Sequence, residues 1–143
     1  MLTIDPLVEP PNARLDLPGS KSITNRALVV AGLADGESEL SGVLFSEDTH
    51  VMMDSLQKMG VGIRQNLNGL SVSISGTGGS LQRPEETLWV HQSGTTARFC
   101  LPLAALIGQE VTIDGDEQIK NRPHEELCKA LQSLGAQIEY LEA

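Results

Sequence analysis

The 143 residues include 19 acidic and 10 basic side chains, a formal net charge of −9, which repels polyanions at long range and disfavours a general role on DNA or RNA. Hydrophobic residues at 40% and charged residues at 20% suit one globular core, while aromatics at 3% are too few for a base-stacking platform. No apolar run reaches the roughly 18 residues of a membrane helix, and MLTIDPLVEPP lacks the basic-then-apolar order of a secretory signal, so neither nucleic acid nor membrane is an expected partner and the expected compartment is the cytoplasm.

In chain order, Ala13–Leu17 alternates apolar and polar residues and is predicted as a short half-buried strand. Lys21–Ala34 is predicted helical, capped by Ser20 or Ser22 and followed by Gly36. Glu39–Val43 is a predicted strand. Ser46–Met59 is a second helix, with Glu47 and Asp48 complementing its N-terminal dipole and Gly60 at its stop. Val61–Arg64 and Leu70–Ser75 then alternate as strands around Asn66-Leu67-Asn68-Gly69.

This β-α-β-α-β-β order recurs. Thr87–Val90 is a predicted strand, Thr95–Ile107 a helix, Glu110–Ile113 a strand, Pro123–Leu134 a helix and Gln137–Tyr140 a strand. Local matches support a duplication: RALVVAGLADG at 26–36 resembles RFCLPLAALIG at 98–108, and LQKMGVGI at 56–63 resembles LQSLGAQI at 131–138, with offsets of 72 and 75. The expected fold class is therefore mixed α/β (α+β), with a first unit over about 13–75, a linker at Gly76–Arg83 and a second unit over about 87–143 that ends before its last strand. Cys100 and Cys128 lie in helix-like stretches and are expected as buried free thiols. His50, His91 and His124 lack metal-ligand spacing and are expected on the surface or at caps.

Three segments carry chemistry, and five of the ten cations fall within them. In PGSKSITNRAL, residues 18–28, Pro18 and Gly19 turn the chain into a helix start, where unpaired amides and the positive dipole end suit an oxyanion. Lys21 adds a mobile charge, Ser22 a hydroxyl and Arg26 a planar fork, with Ser22 and Arg26 on one helix face. The segment lacks the first glycine of a Walker A loop. HQSGTTARF, residues 91–99, places Ser93, Gly94, Thr95 and Thr96 at an equivalent start, with Gly94 open to close ligand approach and Arg98 in the place of Arg26. IKNRPHEEL, residues 119–127, sets Lys120 and Arg122 before a helix, where cations oppose the dipole by a few tenths to about 1 kcal/mol unless an anion is bound. Each segment alone also fits a capped helix with solvated charges. Asp48, Glu47 and Asp54 fit a dipole role and a solvated face at least as well as acid–base chemistry.

Together, PGSKSITNRAL, SGTTAR before an apolar helix and NRP before a further helix resemble the 5-enolpyruvylshikimate-3-phosphate synthases in order and approximate spacing. The resemblance covers essentially the whole chain, 1–143, but only the opening part of that family's length. It implies an inside-out α/β barrel type of fold, with two similar domains of three β-α-β-α-β-β units each and substrates in the cleft between them. It further implies transfer of enolpyruvyl from phosphoenolpyruvate to shikimate 3-phosphate, with no cofactor and no metal.

By this resemblance Lys21 contacts both substrates and is the catalytic candidate. Ser22 and Arg26 hold shikimate 3-phosphate, Gly94 and Arg122 line the phosphoenolpyruvate pocket, and Thr95 and Arg98 support it. Departures from the family pattern are Gln92 for its Asn, Ser93 for its Ala, Phe99 for its Pro and Gln118 for a frequent Arg. The family's acid–base carboxylates lie downstream of Ala143, so an inactive N-terminal piece that needs a missing C-terminal portion as partner is expected, arising from truncation, proteolysis or a split enzyme. UDP-N-acetylglucosamine enolpyruvyltransferases are the alternative within the fold, but the reactive Cys of their loop has no counterpart in DGDEQIKN. A non-catalytic module binding anions or a partner is the alternative outside catalysis.

Overall fold

The computed structural model describes residues 6–141. Helix α1 spans Lys21–Leu33 and starts at Ser20, whose hydroxyl accepts from Ile23 N at 3.4 Å. Strand β1 follows at Glu37–Ser41, then helix α2 at Glu47–Lys58. A capping box opens α2: Ser46 N donates to Thr49 Oγ1 at 2.8 Å while Thr49 N donates back to Ser46 Oγ at 3.4 Å. Strands β2 (Gly62–Asn66) and β3 (Ser71–Ser75) flank a turn in which Gly69 N donates to Asn66 Oδ1 at 3.0 Å.

These three strands form one antiparallel sheet in the order β1-β3-β2. The register sets Leu40 and Val72 opposite each other, and Ile63 opposite Ile74, on the face toward the helices. On the outer face Ser73 Oγ donates to Glu39 Oε2 at 3.0 Å, and Ser75 to Glu37 in the same way. Period-two alternation thus sends Val72 and Ile74 into the core and the serines to solvent.

In the second half, β4 (Leu88–Trp89) pairs in parallel with β5 (Ile113–Asp114), and helix α3 (Gly94–Ile107) crosses between them. A short helix α4 (Glu117–Lys120) and helix α5 (Glu125–Ser133) follow. Leu28 of α1, Met52 and Leu56 of α2, Cys100 and Leu103 of α3, Val72, Ile74 and Leu88 share one core, each at most 2% exposed. Complete burial of a side chain of this size contributes about 1.5–3 kcal/mol. Helix–helix packing with few aromatics is what the composition required.

Several expectations need correction. Ala13–Leu17 is not a strand: Leu15 and Leu17 are 78% and 83% exposed, and no described strand runs beside the segment to bond its backbone. Gln137–Tyr140 is likewise outside any strand pairing among the described residues, where its backbone accepts one hydrogen bond, from Gln132 Nε2 to Ile138 O at 3.4 Å. The strand expected at Glu110–Ile113 starts three residues later and ends one residue later, at Ile113–Asp114. Pro123 stands outside α5, which begins at Glu125 after His124. The loop before it contains α4, which was not expected. The alternation and cap signals behind these expectations are local, whereas strand pairing depends on distant neighbours. Elsewhere the expected helices and hairpin fall within a residue or two of their observed bounds.

Candidate functional site

The starts of α1, α2 and α3 meet at one end of the core. Gly19 makes this possible: a methyl there would overlap the Gly42 carbonyl, so the turn into α1 packs directly on the chain leading to α2. Thr24, buried in the first turn of α1, then accepts from Leu44 N at 3.1 Å. The start of α3 is tied to α2 in a similar way. Ser93 caps α3 by accepting from Thr96 N at 3.3 Å, the two hydroxyls lie 2.8 Å apart, and Thr96 Oγ1 reaches Asp48 O at 3.5 Å. Buried hydroxyls between helix starts satisfy backbone groups that would otherwise be orphaned.

A cavity of about 250 Å³ opens there, lined by Glu47, Asp48, Val51, His91, Gln92, Ser93 and Arg122. Lys21 Nζ stands 2.5 Å from Asp48 Oδ2. Burial pushes the Asp48 carboxyl up, but hydrogen bonding from Lys21 and Ser93 and the charges of Lys21 and Arg122 outweigh it, so the group is held below the ordinary carboxylate value. Arg122 packs over Gly94, where a methyl group would overlap Nη1. His91, on the wall, holds a positive φ of 49°, uncommon for a residue other than glycine, and its carbonyl accepts from Asp116 N at 3.1 Å.

Of the residues singled out in the sequence, Arg122 lines the cavity, Gly94 lies beneath it and Lys21 reaches it through Asp48. Ser22 and Arg26 are exposed on the first two turns of α1, outside the cavity wall, with Arg26 Nη1 donating to Ser22 O at 3.0 Å. Arg98 Nη2 donates to Pro123 O at 3.2 Å, which ties α3 to the loop that carries Arg122. Thr95 is half-buried in the first turn of α3. Arg26, Arg98 and Arg122 form no ion pair among the described residues, whereas Lys120 is 3.6 Å from Asp114 and 3.8 Å from Glu117. Lys120 therefore sits in the last turn of α4, where a cation suits the dipole, and does not oppose α5.

Sequence reasoning missed Asp48 as part of the site, because its helix-start position already accounted for an acidic residue. It also missed His91, whose left-handed backbone has no local sequence signal. Cys100 and Cys128 are buried free thiols, and burial pushes the Cys100 thiol up to about 12, only partly offset by Ser55, which leaves it protonated and inert. Among the described residues no group of three or more His, Cys, Asp or Glu is placed to hold a metal ion, and no helix is long and apolar enough to cross a membrane.

Fold and site define a mixed α/β protein in which three helix starts meet beside a cavity that carries Arg122, Asp48 and Glu47. The family profile of EPSP synthase (3-phosphoshikimate 1-carboxyvinyltransferase) matches residues 8–143, and the chain belongs to that family. It is 44% identical over 137 residues to the 3-phosphoshikimate 1-carboxyvinyltransferase of Rhizobium leguminosarum bv. trifolii, covering 96% of this chain and 32% of the relative. To the corresponding protein of Trichormus variabilis it is 39% identical over 139 residues, covering 97% and 33%. The solved structure of EPSP synthase from Acinetobacter baumannii superposes with a TM-score of 0.83 at 30% identity, over 90% of this chain and 29% of that one. The chain thus spans about a third of the length of the curated relatives it matches.

Proposed function

We propose that this chain forms one wall of a site that joins two phosphorylated anions, contributing to enolpyruvyl transfer from phosphoenolpyruvate to shikimate 3-phosphate. The observation that carries the reading is Arg122 lying over Gly94 at the start of α3, at a cavity that is also lined by Asp48, the ion-pair partner of Lys21. Phosphoenolpyruvate takes Arg122 and the backbone at Gly94, with Thr95 and Arg98 supporting that side. Shikimate 3-phosphate takes the α1 start through Ser22 and Arg26. Lys21 touches both and offsets their mutual repulsion, which is its catalytic contribution. Holding two anions together converts an unfavourable encounter into a positioned one.

In this reading the first unit spans about 13–75 and the second about 87–143, as parts of an inside-out α/β barrel. A further C-terminal portion of the enzyme is the partner that completes the barrel, closes the cleft and supplies proton transfer. Family membership, the exposed Leu15, Leu17, Ile23 and Val30, and the unpaired segments at 13–17 and 137–140 support it. The chemistry takes place in the cytoplasm without cofactor, metal, nucleic acid or membrane.

Co-expression of this chain with the remaining portion of a close relative tests the proposal. Restored formation of enolpyruvylshikimate phosphate, abolished by Lys21→Ala or Arg122→Ala, is the expected result. A folded complex with no turnover, or turnover indifferent to both substitutions, overturns it.

A further inference from the structure

We propose that Asp48 is a built-in competitor for the anion at this site: its carboxylate holds Lys21 in an ion pair at the cavity, and a ligand enters by taking Lys21 over from it. The inference rests on the anion-site reading above and adds a specificity-determining residue to it. The cavity wall carries two carboxylates, Glu47 and Asp48, against one guanidinium, Arg122. Lys21 is neutralised by Asp48 at 2.5 Å. A site in this state offers little net attraction to an anion. Transfer of Lys21 from Asp48 to the ligand supplies the missing charge where the ligand sits.

The pair is built to be opened. Its side chains are 47% and 27% exposed, so solvent screens it and its net strength is small. Helix α2 does not need Asp48 as its cap, because Ser46 and Thr49 already close the capping box. From the elements packed against it, Asp48 faces Lys21 of α1, Arg122 before α5, Ser93 before α3 and His91 after β4, with Glu47 beside it on its own helix. Once Lys21 is released, the Ser93 hydroxyl and the charge of Arg122 still favour the carboxylate.

The competition also selects by charge. A singly charged carboxylate only matches Asp48 as a partner for Lys21. A doubly charged phosphate or sulfate outbids it, because Coulomb attraction to one cation scales with the ligand's charge.

Sulfate is the probe, since it stays doubly charged throughout the working pH range, and acetate is the monoanionic control. Titrations at low ionic strength compare the wild-type chain with Asp48→Asn, Asp48→Ser, Lys21→Met and the double variant Asp48→Asn/Lys21→Met, each checked for folding by circular dichroism. The expected result is sulfate affinity raised at least about fivefold by either Asp48 substitution, with the gain lost when Lys21 is also replaced, and wild-type preference for sulfate over acetate. A folded Asp48→Asn or Asp48→Ser chain that binds sulfate no better than wild type overturns the proposal. So does a gain that survives without Lys21, or sulfate binding undetectable in every variant. A parallel titration with shikimate 3-phosphate separates the two readings: if it binds no better than sulfate while the Asp48 gain is present, the substrate assignment fails and the competitor role stands.

Discussion

At Gly94 a single methyl group would do more to the site than to the fold. It would overlap the Arg122 guanidinium, the mobile end of a long side chain, so Arg122 would swing aside while the start of α3 stays in place. Gly94→Ala is expected to weaken phosphoenolpyruvate binding about tenfold or more, in keeping with the cost of misplacing a binding group by about 1 Å. Melting temperature should change by only a few degrees. Calorimetry and thermal unfolding on one sample check both halves of that statement. Asp48 gives a second residue-scale test. Its carboxyl is held below the ordinary value in the folded chain, so the stabilisation is fully present above the unfolded value, about 3.9, and is lost as pH falls through the lowered folded value. Urea midpoints measured from pH 6 to pH 3 should fall more steeply below pH 4 for wild type than for Asp48→Asn.

Among the elements, one exposed hydrogen bond, from Arg98 to Pro123 O, adds to the packing of Arg122 over Gly94 in linking α3 to the Arg122 loop. Arg98→Ala should cost about 1 kcal/mol or less in stability, yet speed amide exchange over residues 121–124 and lower anion affinity. Equal exchange rates in the two proteins would remove Arg98 from the supporting role. Legibility in the sequence divides along the same line. Helices α1, α2 and α3 could be read because Ser20, Ser46 and Ser93 cap them locally and apolar residues repeat with helical period. The β2–β3 hairpin could be read from its alternation and its Asn-Gly turn residues. Strand β4 falls within a residue of its expected bounds, whereas β5 was misplaced, because it exists only through a partner about 25 residues away. Helix α4 is one turn long, too short for any period to register. Asp48 escaped because its partner Lys21 is distant in sequence, and a local explanation was already sufficient for an acid at a helix start.

For the whole molecule, the largest expectation concerns apolar surfaces left exposed among the described residues. Ile23 and Val30, seven residues apart on one face of α1, are each 69% exposed, and Leu106 of α3 is 63% exposed. If a further portion of the enzyme covers α1, Val30→Glu should leave the stability of the isolated chain within about 0.5 kcal/mol while sharply reducing turnover restored by co-expression. Undiminished turnover would show that this face lies outside the contact.

The convergence of Lys21, Gly94 and Arg122 on one anion-holding cavity is tested most directly by mapping amide chemical shifts during titration of the folded chain with phosphoenolpyruvate and shikimate 3-phosphate. The account predicts saturable shifts concentrated at the starts of α1, α2 and α3 and in residues 121–124. Saturable shifts centred elsewhere, such as along the β1-β3-β2 sheet, or none at millimolar ligand, would contradict it.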